Sequence, residues 1–234
     1  MVDEAKVSLL RRAGLWYTTM GIQSGSERVR RECYGRHTAD ETIIESCRIF
    51  RKYGVGVNLD FIGQNPYETR EDHLATLDLL CRLPKPFYFN YFSLTYFPGV
   101  GLTNRALADG LITPADVEHV AEKGYRLYGG HLMADRAEEE LYWDVAYGMA
   151  VHGFPHAFIR QLMETDFYRR NIRGLTRQMR RVRKVARAKG RLVDRLARRP
   201  NLLQQFFDDG NRDEVPAGGT VQPNFDNSPF SQPA

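Results

Sequence analysis

Gln23, Ser24, Ser26 and Arg36 lie in one stretch, GIQSGSERVRRECYGRHT, from Gly21 to Thr38. The glutamine amide both donates and accepts, which suits a ribose diol or a carboxylate. Arg36 is suited to a bidentate pair with a carboxylate, and Gly25 permits close backbone approach. The same residues also fit a polar strand-to-helix turn with serine as N-cap. A second stretch, VNLDFIGQNPYET, carries Asp60 inside an otherwise apolar run. A carboxylate there needs a partner or a polar cleft, because burying it alone is costly. Its Glu68 and Thr69 read as capping and helix-dipole residues. In a third stretch, FYFNYFSLTYFPG, Asn90 and Tyr91 alternate with apolar neighbours and suggest a polar face. None of these groups is singled out as a catalytic residue.

The three cysteines, Cys33, Cys47 and Cys81, are dispersed and form no CxxC pair. A disulfide framework is not expected, and no metal ligand set is expected in this chain. Cys47 and Cys81 fall on the apolar stripes of expected helices and read as small core residues.

The elements that position these groups follow from periodicity. Asp3 to Arg12 reads as a helix ended by Gly14, and LWYTTMGI as a buried strand. HTADETIIESCRIFRKYG reads as a helix with a Thr38–Glu41 capping box, a face of Ile43, Ile44, Cys47 and Phe50, and a stop at Gly54. VGVNLDFIG is the next strand. A helix capped by Thr69 follows, with Leu74, Leu77 and Cys81 facing the core and Pro84 closing it. FYFNYFSLTYF is the third strand. The fold class is therefore α/β: about three parallel strands with flanking helices, a fragment of a (β/α) barrel, followed by an α-helical extension. Three strands are few for a barrel and the chain opens on a helix, so further strands are expected ahead of Met1. After Gly101 the expectation is helical: one from Thr113-Pro114 to about Gly129, then AEEELYWDVAYGMAVHG and PHAFIRQLMETDFY. The expected divisions are 1–112, a helical extension over 113–209, and a disordered tail over 210–234.

The 234 residues are 42% hydrophobic and 26% charged, an ordinary globular composition. There is neither a membrane-spanning apolar run nor a secretory leader at the N-terminus, so the expected location is cytoplasmic. The net charge of +4 is concentrated toward the C-terminus. Residues 171–199 read as a cationic helix with a narrow apolar seam of Ile172, Leu175, Met179, Val182, Ala186, Val193 and Leu196. Such a helix either docks on its own domain or meets an anionic membrane or a nucleic acid, which would make the protein membrane-peripheral.

Taken in order, GIQSGS, VNLDFIGQNPYET and FNYFSLTYFPG resemble the fourth, fifth and sixth strands of radical S-adenosylmethionine enzymes. QSGS is also similar to tRNA methylthiotransferases, whereas NPYET followed by SLTYFPG is more similar to the cobalamin-binding type. The resemblance spans about Asp3 to Ile112. It implies S-adenosylmethionine as cofactor, with Gln23 and Ser24 on the fourth-strand turn, Gln23 bonding the ribose, Arg36 meeting the methionyl carboxylate, and Asp60 also reaching the cofactor. Backbone around Phe61 and Ile62 would flank the adenine. It further implies 5′-deoxyadenosyl radical chemistry on a small-molecule or lipid substrate, with a [4Fe–4S] cluster and cobalamin held by segments outside these residues. The family's CxxxCxxC loop does not occur in the sequence, so a cluster-bearing N-terminal half is the expected partner. Alternatives are a tRNA methylthiotransferase-like fragment, or a non-catalytic remnant that binds membrane or nucleic acid through its basic helix.

Overall fold

The computed structural model describes residues 2–123 and 138–182. The element order is α1 (Glu4–Arg12), β1 (Tyr17–Gln23), α2 (Glu27–Tyr34), α3 (Asp40–Lys52), β2 (Gly56–Gly63), α4 (Arg70–Arg82), β3 (Tyr88–Ser93), α5 (Gly101–Ala108), α6 (Pro114–Lys123), α7 (Glu138–Val151), α8 (His156–Met163) and α9 (Asp166–Arg170). The strands form one open parallel sheet in the order β1-β2-β3. Parallel pairing requires long crossovers, and α2 with α3, then α4, supply them. The α/β fragment with a helical extension is thus what the chain folds into.

Side-chain alternation divides the sheet into two faces. Val57, Leu59 and Phe61 are buried, and their register partners Phe89 and Tyr91 pack edge-on against Tyr147 of α7. This is the helix-covered side, completed by Val29, Ile43, Ile44, Phe50, Leu77 and Leu80. The opposite side carries Thr19, Gly21, Asn58, Asp60 and Asn90 in register. Asn90 and Tyr91 therefore do not share a polar face: adjacent strand residues point to opposite sides, and Tyr91 belongs to the core.

Several caps are as expected. Asp3 caps α1, and Gly54 ends α3 at φ 64°. Thr69 caps α4 in a capping box completed by Asp72, and Thr113 caps α6 through Asp116. The Thr38–Glu41 box does not form. α3 begins one residue later with Ala39 as N-cap and no side-chain cap bond. Glu27 accepts the Asp40 N–H at 3.0 Å, the buried Arg30 takes the Thr38 carbonyl at 3.1 Å, and Glu41 pairs with Arg82. Tertiary partners thus satisfy groups that a local cap would otherwise serve. The expected single helix PHAFIRQLMETDFY divides into α8 and α9, because the Thr165 hydroxyl accepts from Tyr168 N–H and starts a new helix. α4 turns Asp72, Thr76, Leu77, Leu79 and Leu80 inward while Leu74 and Cys81 are only half-buried. Thr76 and Asp72 face the turn after β1, which rotates the apolar stripe.

Met1–Thr176 forms one compact unit. Of the second, Arg177–Ala234, residues 177–182 are described and are helical. The end of the expected helix after Thr113 (124–129), most of the basic segment (183–199) and the tail (210–234) lie outside the described residues. No described helix is long and apolar enough to cross a membrane.

Candidate functional site

The chain leaves β1 and β2 through two non-glycine residues in the left-handed region, Gln23 at φ 73° and Gln64 at φ 60°. Such conformations cost energy and cluster where ligands are held. The β1–β2 register shifts between Gly21 and Gln23. The Gln23 amide folds back over Gly21, where an added Cβ would lie 2.7 Å from Nε2 and 3.7 Å from Arg36 Nη2. Arg36 Nη1 donates to the Gly21 carbonyl at 2.9 Å. Gly21 is the register partner of Asp60, and Asp60 of Asn90. The Asp60 Oδ1 accepts from Asn58 Nδ2 at 2.6 Å and Asn90 Nδ2 at 3.0 Å. Both amides converge on one oxygen, and among the described residues no hydrogen bond ends on Oδ2. The fold therefore brings Gln23, Arg36 and Asp60 together on the open face, at the strand ends where parallel sheets bind ligands. Asn58 joins them. Sequence reasoning missed it, although its two-residue offset from Asp60 places it on the same face.

Ser24 is placed elsewhere. It is buried, donates to Glu68 Oε1 at 2.8 Å and accepts from Ser26 N–H. Ser26 caps α2 and donates to Asp72 Oδ1 at 2.5 Å. Gly25 N–H donates to Thr76 Oγ1 at 2.9 Å, and a Cβ on Gly25 would lie 2.2 Å from Thr76 Cα. The close approach that Gly25 permits is thus to α4, not to a ligand. Arg30, 1% exposed, holds the Ser24 carbonyl at 2.9 Å and Asp40 at 2.5 Å, tying the Gln23 turn to the loop that bears Arg36. One internal polar network thus braces the turn at Gln23 and the loop at Arg36.

Glu68 is a second residue whose role the sequence did not reveal. It does not cap a helix; burial pushes its carboxyl up to about 7, offset only partly by the Ser24 bond. Its Oε2 is buried without a partner. An acid whose folded-state value is raised binds its proton more tightly when folded, so stability falls as pH rises from about 4.5 to 7 and is flat above. Glu68→Gln keeps an acceptor for Ser24 and removes this loss. Relative to wild type it should gain roughly 1–3 kcal/mol between pH 5 and pH 8. Parallel thermal unfolding at the two pH values checks this, and a constant offset between the proteins would contradict it.

Gln23, Arg36 and Asp60 fit the polar parts of S-adenosylmethionine. An amide over a bare glycine suits a diol, a guanidinium suits a carboxylate, and a carboxylate with a spare oxygen suits a hydroxyl or ammonium. The Phe61 side chain is turned into the core, while Ile62 faces the open side. The chain's residues do not fit an iron–sulfur cluster. Among the described residues no group of three or more His, Cys, Asp or Glu is placed to hold a metal. Cys47 is buried and Cys81 half-buried, and burial pushes both thiols up, Cys47 to about 11, opposite to what thiolate ligation needs.

The sequence profile of the Radical SAM superfamily matches residues 1–80, the segment holding Gln23, Arg36 and Asp60. Two curated relatives also match. One is "Coproporphyrinogen III oxidase, anaerobic 1" of Cereibacter sphaeroides, 29% identical over 119 residues, covering 50% of this chain and 26% of that protein. The other is "tRNA-2-methylthio-N(6)-dimethylallyladenosine synthase" of Roseobacter denitrificans, 34% identical over 95 residues, covering 40% of this chain and 21% of that protein. The match thus spans about a quarter of the first relative and a fifth of the second.

Proposed function

We propose that this chain is the C-terminal part of a radical S-adenosylmethionine enzyme of the cobalamin-dependent type, and that Gln23, Arg36 and Asp60 hold the cofactor. The observation that carries the proposal is the convergence of these three residues on the open face of a Radical SAM domain, with Gln23 in a strained conformation. Gln23 binds the ribose hydroxyls, Arg36 the methionyl carboxylate, and Asp60 a remaining hydroxyl or ammonium through Oδ2. Ser24 supports them from beneath. Bound S-adenosylmethionine supplies the 5′-deoxyadenosyl group for radical chemistry on a small-molecule or lipid substrate. The cluster belongs to a segment or partner bearing the cysteine loop, docked along the sheet. The cobalamin assignment rests on NPYET followed by SLTYFPG.

The similarity to the Roseobacter synthase favours a second reading, a tRNA methylthiotransferase. Among the described residues no strand follows β3, so a β-rich RNA-binding module is not among them. The basic segment 171–199 separates these readings further. Salt-sensitive binding of this segment to anionic vesicles would support a membrane-peripheral enzyme or a non-catalytic remnant, whereas tighter binding to RNA would support the transferase.

The test is Gln23→Ala in the chain reunited with its cluster-bearing half. The substitution leaves cofactor hydroxyls unpaired, at a cost of roughly 1–3 kcal/mol. S-Adenosylmethionine affinity should drop about tenfold or more, while Lys6→Ala on α1 changes nothing. A folded Gln23→Ala protein with unchanged cofactor binding and 5′-deoxyadenosine formation would remove the basis of the assignment.

A further inference from the structure

The helical layer contains an opening of its own, with no part in the strand-end site. α4, α7 and α9 wall a pocket of about 370 Å³, within the size range of sites for small organic ligands. Trp143 and Ile172 form its apolar wall, and both are buried. The Trp143 ring stacks on His73, with centroids 4.7 Å apart and planes 16° apart. His73 Nδ1 lies 2.9 Å from the Tyr147 hydroxyl, and burial pushes the imidazole down to about 4, so this ring is neutral at physiological pH. The stack therefore offers a flat, uncharged surface.

Two arginines accompany it. Arg70 lies 5.9 Å from the Trp143 ring centroid, and its ion pair among the described residues is with the exposed Glu164 at 3.0 Å, a pair weak enough to yield to a ligand. Arg169 is on the lining and makes no ion pair among the described residues. Among those residues Glu68 is the one acidic group on the lining, and its carboxyl is partly protonated near neutrality. The pocket is thus net cationic beside an aromatic wall. Guanidinium groups bind carboxylate or phosphate in a bidentate fork, and stacked rings offer a further ring an offset or edge-on contact.

We propose that this pocket binds a small aromatic anion, its ring against Trp143 and His73 and its carboxylate or phosphate on Arg169 and Arg70. Glu68 reaches both this pocket and Ser24, so an occupant sits one side chain from the turn that carries Gln23.

The chain has two tryptophans, so Trp16→Phe leaves Trp143 as the single reporter. The full chain with that substitution is titrated with phenyl phosphate and with benzoate, following tryptophan emission. Benzyl alcohol and inorganic phosphate supply the ring and the anion separately. A saturable change is expected with at least one aromatic anion, and the tighter of the two identifies the anionic group. Adding Arg169→Ala, an exposed position where folding is not at risk, should weaken it about tenfold. The proposal is overturned if neither aromatic anion saturates, if benzyl alcohol or inorganic phosphate binds as tightly, or if Arg169→Ala has no effect. The readout involves no S-adenosylmethionine, so this proposal and the strand-end assignment fail independently.

Discussion

Gly25→Ala is expected to destabilise Met1–Thr176 by about 3 kcal/mol or more, at the upper end of what overpacking costs. The new Cβ would lie 2.2 Å from Thr76 Cα and 2.9 Å from Thr76 N, and both are helix backbone that cannot rotate away. Either α4 shifts off the sheet, exposing Leu77 and Leu80, or the QSGS turn opens and the Gly25 N–H to Thr76 bond is lost. Gly101→Ala is the control: nothing lies within 4 Å of its Cβ position, and it opens α5, where alanine is the better helix former. Thermal unfolding of the full chain should show a large drop for the first and none for the second. Equal midpoints for Gly25→Ala and wild type would mean that the turn does not pack on α4 as described.

This dependence shows how far local sequence signals reach. The strands at Tyr17, Gly56 and Tyr88, the helices between them and the parallel sheet were all legible, because periods of two and of 3.6 residues are properties of contiguous chain. Gln23, Arg36 and Asp60 were legible as polar residues at strand ends, where apolar neighbours made them conspicuous. What was not legible depends on partners far away in sequence. Glu68 looked like a helix-start acid, yet its partner is Ser24, 44 residues earlier. Among the arginines of ERVRRECY nothing local marks Arg30 as the buried one; Asp40 and the Ser24 and Thr38 carbonyls select it. The His73–Trp143 stack joins two helices whose shared contact no periodicity announces. Gly25 was noticed, but whether its missing side chain made room for a ligand or for a helix was decided only by packing.

Asp72→Ala should be the other large loss, roughly 3–5 kcal/mol, the cost of breaking a buried charged network by removing one member. The Asp72 side chain is 6% exposed and accepts from Ser26 Oγ, from the Thr69 backbone and from Arg28, which also donates to the Tyr67 carbonyl. It therefore closes the α4 capping box and the brace beneath Gln23 together. Burial alone would raise its carboxyl; the bonds from Arg28, Ser26 and Thr69 overcome that and hold it well below the usual carboxylate range. The sign follows from linkage. A depressed folded-state value contributes stability that is fully present above about pH 4, the ordinary value for aspartate, and is lost as pH falls toward the folded-state value. Wild type should thus show a steep acid limb below pH 4, and Asp72→Asn a shallower one. Asp72→Asn keeps one acceptor for Ser26 or Thr69 and loses the charge facing Arg28, so near neutrality it should fall between wild type and Asp72→Ala. Asp166→Asn, at an exposed carboxylate paired among the described residues with Arg170 one turn away, should leave both the midpoint and the acid limb unchanged. Acid-unfolding curves that superimpose for wild type and Asp72→Asn would show that Asp72 is not the charge on which the turn and the helix depend.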